Sequence, residues 1–282
     1  LEHQQVMSIK SSAEAGTSLP LLFDTHCHLD LPELLPQIEH HLQQARALGV
    51  QTILVPAVEQ KNWLPLLRLQ QAHQFAVALG IHPWWAAGAQ REALVLLQQL
   101  GAKPEVCAIG EIGLDYALDE QTFSAQELLF SQQLAIAKAL KKPVVLHHRK
   151  SMVQLLAELK RQQFTEGGIL HAFSGSYQQG QAFIDLGFKL GIGGTISYER
   201  AEKTKKAVQR LPLEALVLET DAPAMPLAGF QGQVNTPSQL ALVFQALVEL
   251  RPEPAAELAA QLWQNSCQVL RLDLQSRLLG SA

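Results

Sequence analysis

From Leu21 onward, short apolar runs alternate with longer stretches whose apolar residues recur at helical spacing. The runs, rich in Val, Ile and Leu, are Leu21–Phe23, Thr52–Val55, Phe75–Leu79, Val106–Ile109, Val144–Leu146, Gly168–Leu170, Phe188–Ile192 and Leu216–Leu218, eight in all. Near-continuous apolarity over so few residues suits strands buried on both faces of a parallel sheet. Each interval between them is about one strand-plus-helix unit. Helical spacing predicts helices near 33–48, 90–100, 151–164, 201–210 and 238–249. A further helix is expected from Ser124, read with Glu127 as a capping box and with Phe123 stapled onto Leu128. Its end carries Lys138, Lys141 and Lys142, which complement the helix dipole, before Pro143 stops it. Thr236-Pro237-Ser238-Gln239 repeats the start signal, with Pro at the first helical position.

Eight such units without a domain-sized change of composition predict a single-domain (β/α)8 TIM barrel over residues 20–282. An open doubly wound sheet is the runner-up. Residues 1–19, polar and small, read as an N-terminal tail or extension. The one long connection, Ala222–Asn235, is rich in Gly and Pro and follows the last strand, where a loop of that length shapes a substrate pocket.

Composition narrows the function. With 48% hydrophobic residues the chain has ample material for a core. Its 22 basic and 26 acidic residues leave a net charge of −4, and no Lys/Arg run forms a broad basic footprint, which argues against tight binding of long duplex DNA. A small or single-stranded phosphate substrate stays open, because metals can supply positive charge. Three scattered cysteines with no CxxC point to a reduced, cytoplasmic protein without disulfides. No apolar stretch has the length of a membrane span. No membrane association and no obligate protein partner is expected.

The chemistry lies where the strands end. The first runs into Asp24-Thr25-His26-Cys27-His28; residues i and i+2 of an extended chain point the same way, so His26 and His28 offer two imidazoles to one place. Alone, such a pair is as well read as two hydrogen-bonded histidines. The other strands change the balance: Glu111 stands just past the fourth, His147-His148-Arg149 ends the fifth, His171 the sixth, and Glu219-Thr220-Asp221 the eighth. In a barrel these residues share the carboxyl-end face, where active sites form. Imidazoles and carboxylates without thiolate suit divalent Zn, Mn, Ni or Fe, and six candidates exceed the three protein ligands of one open catalytic zinc. Two cations sharing a carboxylate fit the number better.

Taken in order, Asp24-Thr25-His26-Cys27-His28, Gly80-Ile81-His82-Pro83, Gly110-Glu111-Ile112-Gly113-Leu114-Asp115, His147-x-Arg149, His171-x-Phe173-Ser174-Gly175 and Glu219-Thr220-Asp221-x-Pro223 resemble the TatD family of metal-dependent deoxyribonucleases, within the amidohydrolase-like TIM-barrel superfamily. The resemblance covers roughly residues 20–275. It implies that His26, His28 and Asp221 bind one metal, that His147 and His171 bind a second, and that Glu111 bridges them. The sequence departs from the family at His148, where many relatives have Ser or Cys, and at Lys150, where an acidic residue is common. Gln233-Val234-Asn235-Thr236-Pro237 keeps the Asn and Pro of a family segment but lacks its Arg and Glu.

The mechanism expected is attack by a water activated between two divalent cations (Zn, Mg or Mn), with Asp221 orienting it and taking its proton and Glu111 holding the cations apart. Substrate contacts are assigned to His82, Arg149 and Ser174. Each has a plainer reading: a structural hydrogen bond for His82, a pair with Asp115 or Glu219 for Arg149, turn chemistry for Ser174. Trp84 and Trp85 read either as a platform for a base or as a packing pair under a loop. The function these readings favour is a 3′→5′ deoxyribonuclease on DNA ends or short single strands. The alternatives are a small-molecule amide, lactone or phosphoester hydrolase with the same centre, and a binding module with a structural metal.

Overall fold

The computed structural model describes residues 19–273. The expected tail therefore lies outside the described residues, apart from Leu19. Eight parallel strands form one sheet in sequence order: β1 (Leu22–Asp24), β2 (Val50–Pro56), β3 (Ala76–Leu79), β4 (Val106–Asp115), β5 (Val144–Arg149), β6 (Gly168–Leu170), β7 (Phe188–Ile192) and β8 (Leu216–Leu218). The ends meet where the Thr25 N–H donates to the Leu218 carbonyl at 2.9 Å and Cys27 bridges in parallel to Ala222. The helices are α1 (Ile38–Ala47), α2 (Trp63–His73), α3 (Arg91–Gly101), α4 (Phe123–Leu140), α5 (Met152–Arg161), α6 (Tyr177–Ile184), α7 (Glu202–Arg210), α8 (Leu240–Leu250) and α9 (Ala255–Leu270). This is a single-domain (β/α)8 barrel, as the strand spacing predicts.

Alternate strand residues sort the core into two layers. Phe23, Leu54, Ala78, Ala108, Val145, Ile169 and Val217, one from each strand but β7, fill the interior with Trp263, Val269 and Leu270 of α9. The opposite faces of the strands pack against the surrounding helices in the larger cluster. The α9 helix is the plug: Arg271, just beyond it, donates to the carbonyls of Lys141 and Glu166, which precede β5 and β6. The amino end of the barrel is thus closed, and the carboxyl end is left for chemistry.

Two local expectations give way. The β4 strand does not end at Ile109 but continues to Asp115, with Glu111 inside it. Its pairing with β5 shifts between Ile109 and Ile112, so β4 carries an extra residue there. Such a bulge re-aims a side chain. The Ser124 capping box is absent too. A 3-10 turn, Glu120–Thr122, precedes α4, and Asp119 accepts the Gln121 N–H at 2.9 Å. Phe123 stacks on Tyr116 at 4.1 Å rather than stapling onto Leu128, which is exposed. A capping box does form at α6, between Ser176 and Gln179.

Candidate metal centre

The carboxyl ends of β1, β4, β5, β6 and β8 bring the expected side chains to one place. His26, His28, Glu111 and His171 are all buried, and Asp221 keeps a small exposed face. Glu111 stands at the centre, and each of its oxygens faces a different set. Oε2 lies 3.2 Å from His26 Nε2 and 3.4 Å from His28 Nε2. Oε1 lies 2.9 Å from His147 Nδ1 and 3.1 Å from His171 Nε2. Asp221 Oδ1 joins the first set, 3.7 Å from His26 Nε2 and 3.5 Å from His28 Nε2.

These spacings test whether a cation fits. Donor atoms 2.0–2.1 Å from a tetrahedral Zn²⁺ stand about 3.3 Å from one another. The two imidazole nitrogens of the first set are 3.2 Å apart, and those of His147 and His171 3.5 Å. Imidazole nitrogens and carboxylate oxygens gathered at this spacing fit metal ions. Among the described residues, His26–His28–Glu111 and His82–Glu111–His147 are both groups able to hold one.

The expected substrate residues separate. His82 is buried with Nε2 3.5 Å from Glu111 Oε1, inside the cluster rather than on its rim. Its Nδ1 accepts the Trp84 N–H at 3.1 Å. Arg149 is exposed at the end of β5, and its guanidinium pairs with neither Asp115 nor Glu219. Ser174 is exposed in the turn after β6.

Other residues, which the sequence reading left in minor roles or did not single out, hold the donors in place. Asp115 lies 3.4 Å from His147 Nε2 and accepts the Trp84 indole N–H at 3.1 Å. Glu219 lies 3.5 Å from His171 Nδ1, and a carbonyl, that of Pro56, lies 3.0 Å from His28 Nδ1. Orientation of a ligating imidazole through its far nitrogen is the usual support of such sites. Asp24 ties β1 to β8, accepting from the N–H groups of Thr220 (3.0 Å) and His26 (3.2 Å) and from the Thr220 hydroxyl (2.6 Å). Asn235 braces the loop around Asp221 by donating to the carbonyls of Thr220 and Ala224. On α4, buried Gln126 and Gln133 each bond both backbone groups of one residue, Asp115 and Ile81. Two glutamines on an apolar helix face were the available signal; the others look like ordinary strand-end polarity.

The electrostatics agree with ionised carboxylates among imidazoles. Burial alone would raise Glu111, but the surrounding imidazoles, His26 and His171 foremost, and the bond from His147 outweigh it and hold the carboxyl well below its usual range. Asp221 is lowered in the same way: burial opposes, and the bond from His28 and the neighbouring imidazoles prevail. Burial pushes His82 down to about 3, leaving its imidazole neutral; with Nδ1 accepting from Trp84, Nε2 carries the proton and faces Glu111 Oε1.

Fold and site together define the class: a TIM-barrel metal-dependent hydrolase with His/Glu clusters able to hold metal ions. The model of the TatD-related DNase family matches residues 23–271. A protein of Escherichia coli K12 named uncharacterized metal-dependent hydrolase YjjV is 47% identical over 246 residues, 86% of this chain and 95% of that protein. An uncharacterized metal-dependent hydrolase of Haemophilus influenzae is 40% identical, over 88% of this chain and 98% of its own. The crystal structure of YjjV, a TatD homolog, superposes with a TM-score of 0.86 at 44% identity and covers 89% of this chain and 98% of that one. The chain belongs to the TatD family.

Proposed function

We propose that the protein is a deoxyribonuclease that removes nucleotides 3′→5′ from DNA ends or short single strands. The observation that carries a two-cation reading is Glu111, whose two oxygens face separate nitrogen sets, His26 with His28 and His147 with His171. On this reading His26, His28 and Asp221 hold one divalent cation and His147 and His171 the other, with Glu111 between them. Zn, Mg and Mn all suit these donors. Bound there, the cations supply Lewis acidity that lowers the pKa of water and offsets charge on the transferred phosphoryl group. Asp221, with its small exposed face, orients the attacking water and accepts its proton. Arg149, exposed on the rim, takes a phosphate group bidentately. His82 and Ser174 complete the substrate contacts, His82 from within the cluster. The DNase description of the family supports the substrate, and three free cysteines support a reducing cytoplasm as its compartment.

The second reading keeps the centre and gives it a small amide, lactone or phosphoester. It is favoured by the net charge of −4 and by the missing loop Arg, whose place before Asn235 is taken by Val234. No helix among the described residues is long and apolar enough to cross a membrane.

End-labelled single-stranded DNA, p-nitrophenyl phosphodiesters and lactones, each offered with Mg²⁺, Mn²⁺ or Zn²⁺, separate the readings. The nuclease gives a ladder shortening from the 3′ end that chelation and Glu111→Ala abolish. Asp221→Asn retains cations by metal analysis and loses about 10²–10⁴-fold in turnover. Intact DNA beside rapid lactone hydrolysis would overturn the deoxyribonuclease reading; full turnover by metal-loaded Asp221→Asn would remove that residue's role.

A further inference from the structure

The sequence left the Trp84–Trp85 pair open between a packing role and a platform, and the metal centre uses only the indole N–H of Trp84. Pro83 opens a 3-10 turn, Pro83–Gly88, directly after His82. Adjacent residues on that turn diverge. Trp84 leans on the metal centre: its ring meets His82 edge-on at 4.7 Å, and its indole N–H is held by Asp115, the carboxylate behind His147. Trp85 faces away, into a groove of about 620 Å³ lined also by Glu59, Lys61, Leu64 and Arg68.

Neither ring is buried. Trp84 is 61% exposed and Trp85 42% exposed. Large aromatic side chains left in water forfeit the gain of burial, and two on one short turn next to a polar site are the composition of a binding surface. Cations stand along the same groove. Lys61 Nζ lies 5.3 Å from the Trp85 ring centroid and pairs with Glu59 at 2.6 Å. Arg68 is exposed on α2, with no hydrogen bond or ion pair among the described residues.

We propose that this turn and groove form the subsite for the single-stranded nucleotides flanking the cleaved bond, with bases on the two indoles and a backbone phosphate at Arg68 and Lys61. The inference rests on the deoxyribonuclease reading and adds to it the place where the strand is held. Rigid aromatic faces interleaved with a few cations are how single strands are gripped without reading sequence. A duplex keeps its base faces stacked and out of reach of an indole. The small number of cations also suits a short strand, since only a few phosphates need neutralising.

The test uses metal-loaded full chain and two labelled probes: a single-stranded thymidine tetranucleotide with phosphorothioate linkages, and its abasic counterpart of equal charge. Wild type is expected to bind the thymidine strand about tenfold more tightly than the abasic one. Trp84→Ala and Trp85→Ala each shrink that preference, while Trp85→Phe, which keeps an aromatic ring, retains most of it and controls for folding. Arg68→Gln weakens both probes alike and lowers the slope of log affinity against log salt by about 1. If wild type binds and cleaves DNA but the alanine variants keep its preference, the subsite is wrong and the nuclease reading survives. If wild type neither binds nor cleaves either strand while hydrolysing p-nitrophenyl esters or lactones, both are overturned.

Discussion

A carboxylate 2% exposed and still ionised needs charge partners, and Glu111 has imidazoles on both oxygens. Its position is only as good as theirs, and theirs depend on groups behind the rings. Asp115 is the clearest case. Burial would raise it, but the bonds from His147 and Trp84 outweigh that and hold the carboxyl below its ordinary value, so it stands as an anion at His147 Nε2. Removing that charge leaves the ring free to turn. We expect Asp115→Asn to weaken cation binding about 10–100-fold, read by metal titration of the folded protein, with thermal stability little changed. Wild-type affinity in that variant would show that Asp115 does not position the imidazole. At this scale the donors themselves were legible, because His26 and His28 at i and i+2 and single polar residues after apolar strands announce themselves. Asp115, Glu219 and Asp24 were not, since a carboxylate's partner across the barrel leaves no trace in its own neighbourhood along the chain.

Among the elements, β4 does the most for the site, and its glycines say why. Gly113 has φ +146°, and a Cβ there would stand 2.1 Å from the His147 carbonyl oxygen of β5. At Gly110 a Cβ would stand 2.6 Å from Val145 Cβ. The bulge that turns Glu111 inward therefore needs β5 to approach closer than any side chain allows. Gly113→Ala is expected to cost about 2–4 kcal/mol of stability, from overpacking and backbone strain together. Urea unfolding measures it; a loss under about 0.5 kcal/mol, the range of an ordinary surface change, would mean the strands separate there freely. The apolar run Val106–Ile109 located this strand, but the run ends before the bulge begins, so pattern alone stopped β4 too early. The start of α4 misled for a related reason: Ser124 and Glu127 match a capping pattern, while the helical run already begins in the 3-10 turn before it, where Asp119 accepts the Gln121 N–H.

For the whole molecule, the two ends of the barrel divide the work. The α9 helix seals the amino end with Trp263, 8% exposed and 5.9 Å from Phe23 of β1, while the donors gather at the other end. Trp263→Ala is expected to destabilise the fold by about 3–5 kcal/mol. Cation affinity measured well below the lowered melting temperature should be retained. Calorimetry with metal titration tests both parts. A variant of unchanged melting temperature would show that the plug is dispensable, and one that folds but no longer binds metal would show that the two ends are coupled.

What the chain determined by itself was the alternation of buried strands with amphipathic helices, and therefore the barrel and the identity of the polar residues at its carboxyl mouth. Periodicity is local: it depends on a residue and its neighbours two, three or four positions away. What only the tertiary structure decided was which oxygen of Glu111 faces which imidazole, that His82 belongs inside the cluster, and that Trp84 and Trp85 remain in solvent. Those depend on residues tens of positions apart, brought together by barrel closure and the β4 bulge, and no local pattern encodes them.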